Sequence, residues 1–235
     1  MTEPSETASF RLGYVPGATP GKWARIWAER RPDVPLELVG ATTVEVVDQV
    51  RAGAVDAGVV RLPIDRAGLH AIPLYTETTV AVVPREHALT TVDEAELDDL
   101  ADEIVLRPQD DSLPWPGALP GHAATVDPTT TAEAIELVAA GVGLLVLPQS
   151  LARLHHRRDL AYRPVTDAPR SSVVLTWPDA DNTELMEEFI GIVRGRTVNS
   201  SRTPRRDGTP APGTPAPTKK SVARRRPARR GTRRR

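Results

Sequence analysis

In this chain of 235 residues, the residues best suited to bind a ligand are small ones that precede predicted helices. Gly17, Ala18 and Thr19 precede one predicted helix, and Thr43 precedes a second. The first turn of a helix has free backbone N–H groups and a partial positive charge, so it attracts a carboxylate or another anion. A threonine there is equally typical of a plain helix cap. The sequence leaves both interpretations open at each helix.

Arg61 is the cation best placed to join such a site. It follows the run VDAGVV, which predicts a buried strand, and open α/β sheets bind ligands at the carboxyl ends of their strands. A guanidinium can hold a carboxylate through two parallel hydrogen bonds. An ion pair with Asp65 at the surface is the alternative, and we favour the ligand role.

No pattern in the sequence indicates catalysis or a metal site. The chain has no Cys, which excludes disulfides, a thiolate nucleophile and a Cys-ligated metal. Its five His residues lack a metal-binding spacing such as H-E-x-x-H, and no G-x-S-x-G elbow or G-x-x-x-x-G-K-S/T loop is present. The sequence therefore predicts a protein that is not an enzyme and that needs no cofactor or metal ion.

The elements that would position these residues alternate between strands and helices. FRLGYV, LELVG and AVDAGVVRL have the composition of strands, and two amphipathic helical segments separate them. This alternation is typical of parallel βαβ units. Thr19 is predicted to cap the first helix, with Pro20 at its first position, and Thr43 is predicted to cap the second.

A second unit of the same kind follows, and the chain then returns to the first. IVL and GLLVL are the predicted strands of the second unit, whereas SVVLTW and a last amphipathic helix complete the first. We predict one α/β domain at 10–195 with two lobes, one at 10–83 and 159–195 and the other at 84–158. Two crossover hinges, near Val83 and Leu160, would join the lobes. The cleft between them is the expected ligand site.

The charges divide the chain near Ser200. Residues 1–200 hold 17 Lys and Arg against 30 Asp and Glu, a net charge of −13, whereas residues 201–235 hold 13 against 1, a net charge of +12. Residues 1–9 and 196–235 lack periodic apolar positions, which predicts disorder. The second of these segments has the composition of a Pro/Gly-rich linker followed by an Arg/Lys-rich tail.

The basic tail contains ten candidate contacts for nucleic acid. They are Lys219, Lys220, Arg224, Arg225, Arg226, Arg229, Arg230, Arg233, Arg234 and Arg235. Lys and Arg in an extended arm bind phosphates and do not read base sequence, which predicts nonspecific contact with DNA. The alternatives are that the tail lies on the acidic part of its own chain or that it only increases solubility.

The sequence does not indicate a membrane or secreted protein. No apolar run approaches the roughly 20 residues of a membrane span. The N-terminus MTEPSETASF lacks the basic and apolar regions of a signal peptide. The predicted location is the cytoplasm, without a membrane partner.

Four segments resemble the effector-binding domain of LysR-type transcription regulators. They are RLGYVPGATPG, ERRPDVPLELVGATTVEVVDQVRAGAVDAGVVRLP, AVVPREHAL and TAEAIELVAAGVGLLVLPQSLARL. The resemblance covers roughly 10–194, and the second segment is its most specific part. It implies a two-lobed, periplasmic-binding-protein-like (type 2) fold that binds a small effector in the cleft between its lobes, here expected to be an anionic metabolite.

The resemblance also implies roles for particular residues. Thr43 occupies a position that often contacts effector in the family. Thr129 and Thr130, with the neighbouring Thr131, would approach the cleft from the other lobe, and at least one of the three is expected to be only a cap. The loop at 107–122 is shorter than is usual in the family, so one wall of the cleft is expected to differ.

The family's N-terminal winged helix-turn-helix is not found in this sequence, so sequence-specific reading of DNA is not implied. Effector domains of the family pair side by side, and apolar faces around Trp23 and Trp27 favour a homodimer here or pairing with a full-length relative. The alternative functions are a nonspecific DNA-binding or dimerisation protein driven by the tail, and an enzyme built on the same fold.

Overall fold

A computed structural model describes residues 9–180 and 182–196 of the chain. The predictions made for the N-terminal segment, the linker and the ten basic tail residues lie outside the described residues. The described residues form two lobes, each built around a five-stranded sheet. The predicted α/β class is therefore confirmed.

Strands and helices alternate through most of the described chain. The strands are β1 (Phe10–Tyr14), β2 (Leu36–Gly40), β3 (Ala57–Arg61), β4 (Leu69–Thr76), β5 (Thr79–Pro84), β6 (Ile104–Leu106), β7 (His122–Ala123), β8 (Leu144–Pro148), β9 (Leu160–Pro164) and β10 (Ser172–Pro178). The α-helices are α1 (Gly21–Arg30), α2 (Thr43–Arg51), α3 (Thr131–Ala139), α4 (Gln149–Leu154) and α5 (Glu184–Val193). Two short 3-10 helices, Ala88–Thr91 and Leu97–Leu100, lie between β5 and β6.

The first sheet has the strand order β2-β1-β3-β10-β4. β1 pairs in parallel with β2 and β3, and α1 and α2 provide the crossovers between these strands. β10 returns late in the chain and pairs antiparallel with β3 and β4. Every residue of β3 is buried, which explains why VDAGVV is an apolar run rather than an alternating one.

Three aromatic side chains form the centre of the first lobe. The ring of Phe10 lies 4.8 Å from that of Trp27 and 5.0 Å from that of Phe189, measured between centroids. The indole Nε1 of Trp27 donates a hydrogen bond of 2.8 Å to the Val34 carbonyl. Trp27 is fully buried, so its inclusion in an exposed dimer face was wrong. Trp23 remains half-buried.

The second sheet has the strand order β7-β6-β8-β5-β9. Alternate residues of β5 face two different clusters of apolar side chains. Val80 and Val82 pack on the side that includes α3, whereas Ala81 and Val83 pack on the side that includes the 3-10 helices. The strand is buried on both faces, as its unbroken apolar sequence requires.

The pairing of β5 and β9 corrects the predicted lobe boundaries. β5 pairs with β8 and β9, so both β5 and β9 belong to the second sheet. The crossings therefore lie between β4 and β5 and between β9 and β10, and the predicted hinges at Val83 and Leu160 were each wrong by one strand. An apolar run reports that a strand is buried but does not report which sheet buries it.

The helix starts also differ from the prediction by one residue. Thr42, and not Thr43, is the N-cap of α2, and Glu45 completes a capping box with it. The rule that Ser or Thr stands three residues before Glu selects Thr42. At α1 the N-cap is Pro20, without a side-chain cap, so Thr19 does not have the predicted capping role.

Candidate functional site

Two cavities lie where the lobes meet, and they divide the residues predicted as one ligand site. The smaller cavity, of about 340 Å³, is lined by Thr43, Arg61 and Thr130. The larger, of about 710 Å³, is lined by the stretch from Gly17 to Thr19. Pro16 and Leu154 line both, so the cavities are neighbours. Of the predicted ligand residues only Thr129 lines neither of these two cavities.

The start of α2 forms the first wall of the smaller cavity. Thr42 Oγ1 accepts a hydrogen bond from the Glu45 amide at 3.3 Å, and the Thr42 amide donates to Glu45 Oε2 at 2.8 Å. The backbone hydrogen bond from Thr42 holds the pKa of Glu45 below its ordinary value. Because Thr42 is occupied by the cap, Thr43 is the residue whose hydroxyl group is available beside the free N–H groups of the first turn.

The start of α3 faces the same cavity from the second lobe. Thr130 Oγ1 accepts from the Glu133 amide at 3.2 Å and is the N-cap, as expected for one of the three threonines. The Thr129 amide donates to Glu133 Oε2 at 2.8 Å. Thr131 is buried, and its hydroxyl donates to Asp110 Oδ1 at 2.9 Å. Two helices of different lobes therefore direct their N-terminal ends towards one space.

Arg61 has a different partner from the one considered in the sequence. Its guanidinium is buried and pairs with Glu77, with Nε 2.7 Å from Oε2 and Nη2 3.3 Å from Oε1. Nη1 donates to the Pro16 carbonyl at 2.8 Å, and Nη2 donates to Ser150 Oγ at 2.9 Å. These contacts use four of the five N–H donors of a guanidinium. The charge of Arg61 is thus neutralised inside the protein, and one donor on Nη1 remains.

The alternative of a surface pair between Arg61 and Asp65 was wrong. Asp65 pairs with Arg51, whose Nη2 lies 2.9 Å from Oδ2. Glu77 was missed because nothing in the sequence marks it as the partner of a residue on another strand. A Glu just beyond an edge strand such as β4 gives no signal of burial.

The loop after β6 supplies the third wall, through Asp110 and Ser112. Ser112 Oγ is buried and has no hydrogen-bond partner among the described residues. A buried hydroxyl group without a partner is costly, so this atom is suited to a ligand. Sequence reasoning missed both residues, although it marked this loop as the wall that would differ.

The same loop is held by contacts of its own. Trp115 Nε1 donates to Asp111 Oδ2 at 3.1 Å, and the Leu113 amide donates to Oδ1 at 2.9 Å. Burial raises the pKa of Asp111 above its ordinary value. Trp115 also packs against the apolar cluster that includes Ala81 and Val83, and it does not line either cavity between the lobes.

The arrangement is suited to binding. Ser150 Oγ donates to the Glu77 carboxylate, and this contact is the one that most resembles a nucleophile beside a general base. Arg61, however, holds the same carboxylate in a buried ion pair. Within 9–180 and 182–196, no group of three or more His, Cys, Asp or Glu is placed to hold a metal ion. No helix in this part of the chain is long and apolar enough to cross a membrane.

A family model described as the LysR substrate binding domain matches residues 5–197. The chain belongs to this family. The resemblance noted in the sequence is thereby confirmed, and the two-lobed fold agrees with it.

Curated relatives of the chain are transcription regulators. It is 29% identical over 174 residues to a "Probable hydrogen peroxide-inducible genes activator" of Mycobacterium avium, covering 69% of this chain and 56% of the relative. It is 21% identical over 217 residues to the "Hca operon transcriptional activator HcaR" of Escherichia coli (strain K12), covering 83% of this chain and 70% of the relative. The chain thus spans only about half the length of the mycobacterial protein. These relatives support the prediction that the chain is not an enzyme.

Solved structures share the fold. The effector binding domain of BenM, solved with its effector benzoate, superimposes with a TM-score of 0.68 at 21% identity, covering 80% of this chain and 91% of that one. The oxidized form of OxyR gives a TM-score of 0.67 at 20% identity, covering 81% of this chain and 96% of that one. The periplasmic-binding-protein-like architecture is therefore confirmed.

Proposed function

We propose that the chain acts as the effector-binding module of a LysR-type regulator and that a small organic anion occupies the smaller cavity. The observation that carries the proposal is the meeting of two helix N-termini, those of α2 and α3, around one space of about 340 Å³. Both helices have nine residues, and the dipoles at their first turns favour negative charge.

The walls of the cavity suggest how such a ligand is oriented. Its anionic group faces Thr43 and the remaining N–H of Arg61. Asp110 lies beside the first residue of α3, and its carboxylate already accepts a hydrogen bond from Thr131. An acceptor there disfavours a second negative charge and favours a hydroxyl group or an amine of the ligand. Ser112 Oγ supplies a further hydrogen bond.

The ligand would contact both lobes, and this gives a route from binding to regulation. A molecule that binds more tightly to one relative arrangement of the lobes shifts the population towards that arrangement. The change could then reach a partner protein or DNA through the module's surface. We place this activity in the cytoplasm, where the transcription regulators that resemble this chain act.

A peroxide response of the kind named for the mycobacterial relative does not suit this chain. Peroxide sensing through cysteine relies on oxidation of a thiolate to a sulfenic acid or disulfide. The chain contains no Cys, so this chemistry has no starting group. An organic effector, as named for BenM, fits the cavity better.

The basic tail favours a second activity, the nonspecific binding of DNA. Residues 201–235 carry a net charge of +12, and duplex DNA releases condensed counterions when such a segment binds. A diffuse acidic surface on the chain's own domain offers no comparable entropy gain. We propose that DNA is the preferred partner of the ten Lys and Arg residues named above.

Self-association is the third part of the proposal, since LysR regulators act as oligomers. Trp27 does not support it, because this residue is buried in the core. The half-buried Trp23 and the exposed Leu38 leave apolar surface beside α1. Light scattering at micromolar concentration is expected to give a dimer, and a monomer would favour pairing with a full-length relative.

A thermal-shift screen with small carboxylic acids, hydroxy acids and amino acids tests the effector proposal. A ligand at 100 times its dissociation constant stabilises the folded state by about 2.7 kcal/mol, which is a clear shift of the melting temperature. At least one compound is expected to reach this effect. If no compound in the three classes stabilises the protein at millimolar concentration, the proposal of an organic anion is wrong.

A further inference from the structure

The larger cavity adjoins the proposed effector site, has a different set of polar side chains and is rich in free hydrogen-bonding groups. It lies on the α1 side of the Arg61 and Glu77 pair, which forms the partition: Arg61 lines the smaller space and Glu77 the larger. Its polar side chains include those of Tyr14, Thr19, Tyr75, Thr76, Thr78 and Gln149. No side-chain hydrogen bond between described residues uses any of these six groups.

Arg153 supplies a cation at this cavity. It lies on α4 and is exposed, and no described Asp or Glu lies within ion-pair distance of its guanidinium. Glu77 is the only acidic residue among the described ones that line the cavity, and its charge is paired with Arg61. The unbalanced charge of the cavity is therefore positive.

The tyrosines are suited to donating hydrogen bonds at neutral pH. Partial burial and the nearby Glu77 raise the pKa of the Tyr75 hydroxyl above its ordinary value, so the group stays protonated. Tyr14 lies beside Gly40, where an added Cβ would be 3.5 Å from the Tyr14 hydroxyl oxygen. Hydroxyl groups both donate and accept, which suits a ligand that carries several hydroxyl groups.

We infer that the larger cavity is a second ligand site, which takes a small hydroxylated organic anion such as a sugar acid. The carboxylate binds the Arg153 guanidinium, and the ligand hydroxyls exchange hydrogen bonds with the tyrosine, threonine and glutamine side chains. The inference does not rest on the effector proposal, because it uses neither helix start of the smaller cavity.

Three six-carbon probes separate charge from hydroxyl content. Gluconate carries both a carboxylate and hydroxyl groups, hexanoate carries only the carboxylate, and sorbitol carries only hydroxyl groups. Calorimetric titration of the full chain is expected to give the tightest binding for gluconate. Binding of gluconate no tighter than that of hexanoate and sorbitol, or no binding at millimolar concentration, would overturn the inference.

Variants then locate the bound gluconate. Arg153→Gln removes one charge-assisted hydrogen-bonding group and should weaken binding by about tenfold or more. Arg158→Gln removes an exposed Arg that lines neither cavity and should leave binding unchanged. Ala132→Trp fills the smaller cavity only and should also leave it unchanged. Equal loss in both arginine variants, or loss in Ala132→Trp, would place gluconate elsewhere and refute the second site.

Discussion

The Arg61 guanidinium and the Glu77 carboxylate form a buried ion pair in which Nε lies 2.7 Å from Oε2. Arg61 ends β3 in the first lobe, and Glu77 lies in the crossing after β4. Ser150, at the start of the second lobe's α4, accepts from the guanidinium and donates to the carboxylate. An added Cβ at Gly17 would lie 2.8 Å from Ser150 Oγ, so the lobes meet closely here. The pair is both the partition between the cavities and a contact between the lobes.

The first prediction concerns this pair. Arg61→Met leaves the Glu77 carboxylate buried without a counter-charge and should lower the free energy of unfolding by about 3 to 5 kcal/mol. The double variant Arg61→Met with Glu77→Leu removes both charges and should be more stable than the single variant. Urea denaturation measures both. If Arg61→Met lowers the free energy of unfolding by less than about 1 kcal/mol, then water reaches the pair and it behaves like an exposed ion pair.

The second prediction distinguishes the capping role of Thr42 in α2 from the proposed ligand-binding role of Thr43. Thr42→Ala removes the capping hydroxyl and should destabilise the protein by about 1 kcal/mol. Thr43→Ala removes a hydroxyl that caps nothing and should change stability little while weakening effector binding. Urea denaturation and calorimetry on both variants provide the comparison. The assignment fails if Thr43→Ala is the more destabilising of the two.

The third prediction concerns the pH dependence of stability. Burial raises the pKa of Asp111 in the folded chain, so its favourable contribution is present at low pH and is lost as the pH rises from about 4, the unfolded value. Relative to Asp111→Asn, the unmodified chain should therefore lose stability as the pH rises above about 4. Denaturation at several pH values measures this difference.

Asp65→Asn is the control with the opposite sign. The backbone hydrogen bond from Ala67 holds the pKa of Asp65 below its ordinary value. The contribution of Asp65 is therefore present above about pH 4 and is lost as the pH falls below it. Equal slopes for the two variants would contradict the burial of Asp111.

The fourth prediction concerns the tail. If it neutralises six to ten phosphates, the affinity for duplex DNA should fall by about 10³ to 10⁵ between 50 and 200 mM salt. The dependence on base sequence should be slight. A chain without residues 219–235 should lose DNA binding and keep its effector affinity. Gel shifts at 50 mM salt decide the matter, because equal binding by both chains, or none by either, would refute the role of the tail.

The fold was predictable because its signals are local and continuous. The strand around VDAGVV and the helical segments beside it follow one another directly in the sequence. A strand that is buried on both faces is an unbroken apolar run, which can be recognised in the sequence. The boundary between the lobes was not predictable in the same way. β5 would be equally apolar in either sheet, and only its pairing with β8 and β9 assigns it.

The site was predictable in its components but not in its geometry. Thr43 and Thr130 line the smaller cavity because they lie at helix starts, which can be recognised in the sequence, and their role in ligand binding stays a prediction. The stretch from Gly17 to Thr19 lies at the other cavity because Arg61 and Glu77 close the space between them. Such a long-range ion pair leaves no local pattern. Ser112 was missed for the same reason, because its buried oxygen is defined only by the folded loop.

The occupancy of the smaller cavity is tested most directly by filling it. Ala132 lines this cavity at the start of α3, and Ala140 is exposed at the other end of the same helix and lines neither cavity. Calorimetric titrations should use the compound that gives the largest thermal shift, on the unmodified chain, Ala132→Trp and Ala140→Trp. The account predicts that Ala132→Trp weakens binding by about tenfold or more, a loss of about 1.4 kcal/mol, whereas Ala140→Trp leaves it unchanged. Binding by Ala132→Trp as tight as that of the unmodified chain would contradict an effector site between the starts of α2 and α3.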